Sequence, residues 1–146
     1  MFCVLLVINI NFSSFYHHLR GGKGTKTILN FHSFDDFWKY FYNTQYFLQN
    51  PALQERAFVA LCSVNKWILR RDIKWFVGKK INGVTVTESG ILAAAHLAGA
   101  GNVKKYLRTY GKYQFTDAFG TTIDSYIKKF GGYDVSFVVP NKYATV

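Results

Sequence analysis

Residues 88–101 read ESGILAAAHLAGAG and follow directly on the alternating VTVT. One carboxylate and one imidazole stand on a body of alanine, glycine and leucine, which leaves little freedom in how the stretch folds. Alanine and leucine favour a helix, and side chains this short make it slim enough for another backbone to press against it. Thr87 is placed to cap its start, and Gly99 and Gly101 are expected to end it. A chain with such a helix needs something to pack on it, and the rest of the sequence supplies that. Of the 146 residues, 49% are hydrophobic and 18% aromatic, which argues for a folded domain with a core and against disorder.

The partners of that domain are bounded by charge. Eighteen Lys plus Arg against eight Asp plus Glu give a formal net charge of +10, a field that draws polyanions, whether nucleic acid, anionic lipid headgroups or acidic cell-wall polymers. Cys3 and Cys62 stand far apart with no histidine at metal spacing, so neither a disulfide framework nor a zinc site is expected. The GGKGTK run near residue 21 lacks the spacing of a phosphate-binding loop, and no cofactor is expected. The opening MFCVLLVINI is too short for a membrane-spanning helix and has no basic region or cleavage site of an export signal, so a membrane partner is not expected. Residues 1–30 read as an apolar leader and linker, non-native or disordered, ahead of a helical domain over 31–146.

Within that domain, Phe34, Phe37, Trp38, Phe41 and Tyr42 recur at helical offsets after a capping Ser33, a pattern that fills interiors more often than it stacks on sugars. Next comes the clearest helix, 50–72, with Asn50 as N-cap and Pro51 at the first position. Leu53, Ala57, Leu61, Val64 and Ile68 form its apolar stripe, and Arg70 and Arg71 close its end. Asn82-Gly83 is the dipeptide suited to a tight hairpin turn between short strands. After the alanine-rich helix, NVKKYLRTY is expected to run as a short helix to Gly111. Thr121 with Asp124 reads as the capping pair of a last one, TTIDSYIKKF.

Three pieces, NPALQERA, VGKKINGVTVTESGILAAAHLAGAGNVKKYL and DAFGTTIDSYIKKFGGYD, stand in an order that resembles the C-terminal portion of lysozyme-like peptidoglycan hydrolases of the lytic-transglycosylase type, from bacteria and phage particles. The resemblance covers a little over half the chain. It implies a mainly α, lysozyme-like fold, whole or incomplete, with a minor β-hairpin, and a location in the cell envelope, outside the cell or on a phage particle, a cytoplasmic one being left open. In that setting Ala93, Ala94, Ala95, Ala98 and Gly99 keep the helix slim, and the Gly99–Gly101 turn folds the next helix back. His96 reads as a hydrogen-bonded core histidine, because nothing near it in sequence forms a nucleophile–base pair.

Enzymes of this type need a carboxylic acid that donates a proton to the glycosidic oxygen. In the family that glutamate lies upstream of the pieces recognised here, yet residues 1–49 contain none. Only Glu55 and Glu88 exist, and Glu88 is the available candidate acid, although as the first residue of a helix it also suits the helix dipole. Glu88-Ser89 with Gly111-Lys112-Tyr113-Gln114 imitates loosely the Glu-Ser and Gly-x-x-Gln arrangement of transglycosylases. Two readings follow: a catalytically silent relative that kept the substrate-facing scaffold, or a piece whose N-terminal part has been replaced by unrelated sequence.

On the first functional hypothesis the partner is peptidoglycan, with the glycan lying across Tyr106, Tyr110, Tyr113 and Gln114 and with Glu88 as the acid. The second is a non-enzymatic module for nucleic acid or another polyanion. It rests on Arg70, Arg71, Lys74, Lys79 and Lys80, and on Lys104, Lys105, Arg108 and Lys112, interleaved with Trp67, Trp75, Tyr106 and Tyr110.

Overall fold

A computed structural model of the chain describes residues 47–117 and 119–145. The leader over 1–30, the aromatic face from Phe34 to Tyr42 and its Ser33 cap lie outside the described residues. Those described are mainly helical with a small antiparallel hairpin. They fall into two compact units, one containing 47–59 and Thr145, the other 60–144.

In the first unit Asn50 caps the long helix as its sequence requires: its Oδ1 accepts from the Leu53 amide at 3.1 Å, and Pro51 follows at the first helical position. Gln54 Nε2 donates back to the carbonyls of Phe47 and Leu48 at 2.8 and 3.0 Å, pinning the preceding turn.

That helix, α1, runs Pro51–Phe76, one turn beyond the expected stop at Asp72. Its expected stripe of Leu53, Ala57, Leu61, Val64 and Ile68 is only half-buried. The buried line is the adjacent one, Phe58, Cys62, Asn65, Leu69, Asp72 and Phe76, spaced by threes and fours. Two polar members disguise it in the sequence. Asp72 is 4% exposed and is held by Arg108, whose Nε donates to Asp72 Oδ1 at 2.8 Å. A paired carboxylate inside the line carries the helix past Arg70 and Arg71, which remain exposed on its side.

After α1 come strands β1 (Lys80–Ile81) and β2 (Val84–Thr85), which pair with Ile81 opposite Val84. The two turn residues take the positive φ that such a turn demands, +48° at Asn82 and +78° at Gly83. Helix α2 is Glu88–Ala98, capped by Thr87, whose Oγ1 accepts from the Gly90 amide at 3.1 Å. Every residue from Ser89 to Ala98 except His96 is buried. Slimness therefore serves burial on nearly all sides.

The closest approach to α2 comes at Gly90. A Cβ there would lie 2.8 Å from the Ile127 carbonyl oxygen and 3.1 Å from the Ile127 Cα. Ile127 belongs to the last helix, α4 (Ile123–Lys129), which packs on α2 and on β2. In sequence α3, Ala100–Arg108, lies between α2 and α4, and it too packs on α2. Gly99 alone joins α2 to α3 at φ 81°, ψ 146°, a conformation open to glycine, and its carbonyl accepts from the amides of Asn102 and Val103. Gly101, expected as a terminator, lies inside α3.

The core of the 60–144 unit gathers Leu69 and Phe76 of α1, Ile81 and Val86, the alanine face of α2, Val103, Tyr106 and Leu107 of α3, and Ile123 and Ile127 of α4. Each large aliphatic member contributes about 1.5–3 kcal/mol on burial. The chain after α4 is tied back at both ends: the Tyr133 amide donates to the buried Ser89 Oγ at 3.2 Å, and the Asn141 amide donates to the Ser63 carbonyl at 3.1 Å.

Two glycines separate crowding from helix propensity. Gly90→Ala forces a methyl group against α4 backbone and is expected to cost roughly 1–3 kcal/mol or more in urea unfolding. Gly101→Ala enters a helix where nothing lies within 4 Å of the new Cβ. It should add about 0.5–1 kcal/mol.

Candidate functional site

The densest polar junction on the 60–144 unit is built on Asp124, the second residue of α4. Its cap sits one position later than the sequence implied: Thr122, not Thr121, is the N-cap, and it forms a reciprocal capping box with Ser125 rather than with Asp124. That shift leaves the Asp124 carboxylate free to reach across the fold. Its Oδ1 accepts from the Tyr106 hydroxyl of α3. Its Oδ2 accepts from Gln114 Nε2 at 2.5 Å and from Asn82 Nδ2 of the hairpin turn at 3.2 Å. Both amides also reach toward the Gly111 carbonyl, at 3.3 Å from Gln114 and 3.4 Å from Asn82.

Gly111 permits this convergence. Helix α3 ends with the Gly111 amide donating to the Tyr106 carbonyl at 2.9 Å and the Tyr110 amide donating to the Leu107 carbonyl at 3.0 Å, the paired bonds of a Schellman stop. In that motif the residue with left-handed backbone is usually glycine; here it is Tyr110, at φ +50°. A bulky side chain there costs roughly 1 kcal/mol. Gly111 follows at φ +78°, and a Cβ on it would collide with the Asn82 amide.

Among the residues the sequence singled out, Tyr106 and Gln114 meet at Asp124 from opposite sides. Tyr106 is fully buried, so it offers no face to a sugar, and its place among the stacking residues is corrected. Helical spacing alone does not separate an inward tyrosine from an outward one. Tyr113 is half-buried, its hydroxyl donating to Asn102 Oδ1 at 2.9 Å. Tyr110 is 55% exposed, its ring edge-on to Phe76 with centroids 5.5 Å apart.

Glu88 lies elsewhere, at the start of α2, where its Oε1 sits 2.5 Å from Lys66 Nζ of α1. With its neighbours it completes a structural triplet: Glu88 ties α2 to α1, Ser89 holds the chain after α4, and Gly90 admits α4. Lys66 was not foreseen, since the two residues stand 22 positions apart in sequence with no shared pattern.

Among the described residues, cations and aromatic rings meet around Trp75, around Trp67, at Lys105–Tyr113 and at Lys129–Phe130. Lys79 Nζ lies 4.2 Å from the Trp75 ring centroid and 5.4 Å from that of Phe76. The Arg70 guanidinium lies 4.2 Å from the Trp67 ring, which Lys142 Nζ approaches to 5.3 Å while standing equally near Tyr143. Such contacts hold cations at a ring without neutralising them. No described helix is long and apolar enough to cross a membrane. In comparisons with protein-family models, curated proteins and solved structures, no match to this chain is found.

Burial, the hydrogen bond to Asp124 and the Asp124 charge together raise the Tyr106 hydroxyl pKa above the ordinary tyrosine value. Burial and the Asp117 charge do the same at Tyr126. The folded state thus keeps protons that the unfolded chain releases near pH 10. The stabilisation is complete below that pH and is lost as pH rises above it. Tyr106→Phe should flatten the alkaline fall in chemical-denaturation stability, leaving the smaller part due to Tyr126.

Proposed function

We propose that this chain acts on peptidoglycan by binding its glycan strands, and that residues 60–144 do not supply the proton for cleavage. The observation that carries the second half is the Lys66–Glu88 pair. The candidate acid spends its inward oxygen on an ammonium 2.5 Å away, at a helix start where both side chains are largely covered, 17% exposed for Lys66 and 31% for Glu88. A general acid must present its proton to the leaving oxygen, and this carboxylate faces a structural cation instead. Asp124 is likewise engaged as an acceptor on both oxygens.

What supports binding is twofold. The pieces from Val77 to Asp134 that carry the resemblance to lysozyme-like hydrolases form one packed unit, with α2 at its centre and α3 and α4 against it. Its surface also presents exposed aromatic rings beside cations, the combination that holds sugar faces and wall carboxylates together.

A second reading, a polyanion or nucleic-acid module, is favoured by the Trp67 cluster, where Arg70 and Lys142 flank one ring. Its signature is affinity for a single-stranded oligonucleotide that falls steeply with salt.

Purified sacculi decide between the two. The wild-type chain is expected to sediment with them, and mass spectrometry of the supernatant should show the same muropeptide background for wild type and for Glu88→Gln. Anhydro-muropeptides or new reducing ends that vanish in Glu88→Gln would instead make Glu88 the acid. The substitution weakens a partly buried ion pair, and unfolding should register a loss of ~1–3 kcal/mol.

A further inference from the structure

We propose that Asn82-Gly83 is a self-modification site: whatever the chain binds, the Asn82 amide is lost by cyclisation onto its own backbone, and the acid that replaces it unfastens the hairpin from α3 and α4. It is the one Asn-Gly pair in the chain, and both residues are exposed. Without a Cβ on Gly83, nothing on that residue hinders its backbone nitrogen. The Gly83 nitrogen attacks Asn82 Cγ. As the new N–Cγ bond closes a cyclic imide, the Cγ–Nδ2 bond breaks, and the leaving nitrogen takes the Gly83 amide proton and departs as ammonia. One water then opens the ring, at Cγ to give aspartate or at the Asn82 backbone carbonyl to give isoaspartate.

Where the amide points separates this pair from a bare motif. Asn82 Nδ2 donates to Asp124 Oδ2 at 3.2 Å and reaches the Gly111 carbonyl at 3.4 Å. Both acceptors belong to other segments, so the carboxamide must let them go before it swings onto the Gly83 nitrogen. The folded junction therefore restrains the reaction.

Neither product suits those acceptors. Aspartate at 82 brings oxygens where the amide brought protons, facing the Gly111 carbonyl and a carboxylate already occupied by Tyr106 and Gln114. A bridge becomes a repulsion between like charges, and a donor is lost. Isoaspartate also adds a backbone carbon to a two-residue turn whose length sets Ile81 opposite Val84.

Wild-type chain aged at mildly alkaline pH, both folded and in urea, and followed by peptide mapping tests the site. The peptide spanning Asn82 is expected to gain about 1 Da as mixed aspartate and isoaspartate, about fivefold more slowly in the folded chain. Asn82→Asp should lower the thermal midpoint by roughly 4 °C or more, and by less in an Asp124→Asn background. Asn82→Gly takes the left-handed turn position without strain and cannot cyclise, and it should lose less than Asn82→Asp. An Asn82→Asp chain that does not fold beside an Asn82→Gly chain that does would support the unfastening equally.

Folded chain in which other asparagines are modified before Asn82 overturns the site. Equal rates in the folded chain and in urea overturn the restraint by the junction. A midpoint for Asn82→Asp no lower than that of Asn82→Gly overturns the unfastening.

Discussion

The approach of two backbones at Gly90 sets the rest of the 60–144 unit. With the Ile127 carbonyl 2.8 Å from where a side chain would begin, α4 lies directly on α2. Just past α4, Gly131 is also confined: a Cβ there would meet the Thr87 hydroxyl at the start of α2 at 3.2 Å and its own segment's Ile127 carbonyl at 3.0 Å. Because α4 sits this close, Ser89 can reach the Tyr133 amide, and Asp124 is carried to where Tyr106, Gln114 and Asn82 converge. The Glu-Ser-Gly run that resembles an enzyme motif is in this fold a sequence of three joints.

Asp124 illustrates how a local rule yields to a tertiary one. A Thr-x-x-Asp spacing is a fair capping signal, yet Thr122 and Ser125 perform the capping one residue along. The acid is then available to accept from three donors contributed by three other segments. A carboxylate so occupied fastens the hairpin turn to the two helices beyond it. It also explains why Asn82, chosen by sequence reasoning only for its turn conformation, has a second duty in its side chain.

Much of the fold was legible because its signals are local. Asn50-Pro51, Asn82-Gly83 and Thr87 act within a few residues of themselves, and each takes the conformation its chemistry dictates. The mainly α class with a minor hairpin follows from them. What escaped was whatever depends on a partner distant in sequence. Asn65 and Asp72 made the buried face of α1 look polar, so the neighbouring stripe was read as the core. Of the candidate site residues, Tyr106 and Gln114 both donate to Asp124, a junction that their sequence spacing does not announce. Glu88 could not be judged without Lys66, and nothing near Tyr110 in sequence announces that a tyrosine takes the place of a glycine.

Gly99 is at once the end of α2 and the beginning of α3. Its amide donates to the Ala95 carbonyl at 2.9 Å, and its carbonyl accepts from Asn102 and Val103, both at 3.2 Å. Fraying the last turn of one helix therefore releases the first turn of the other, and neither end can open by itself. The amides on either side of this joint should exchange as one block, so that two helices appear as a single cooperative segment in time-resolved hydrogen exchange.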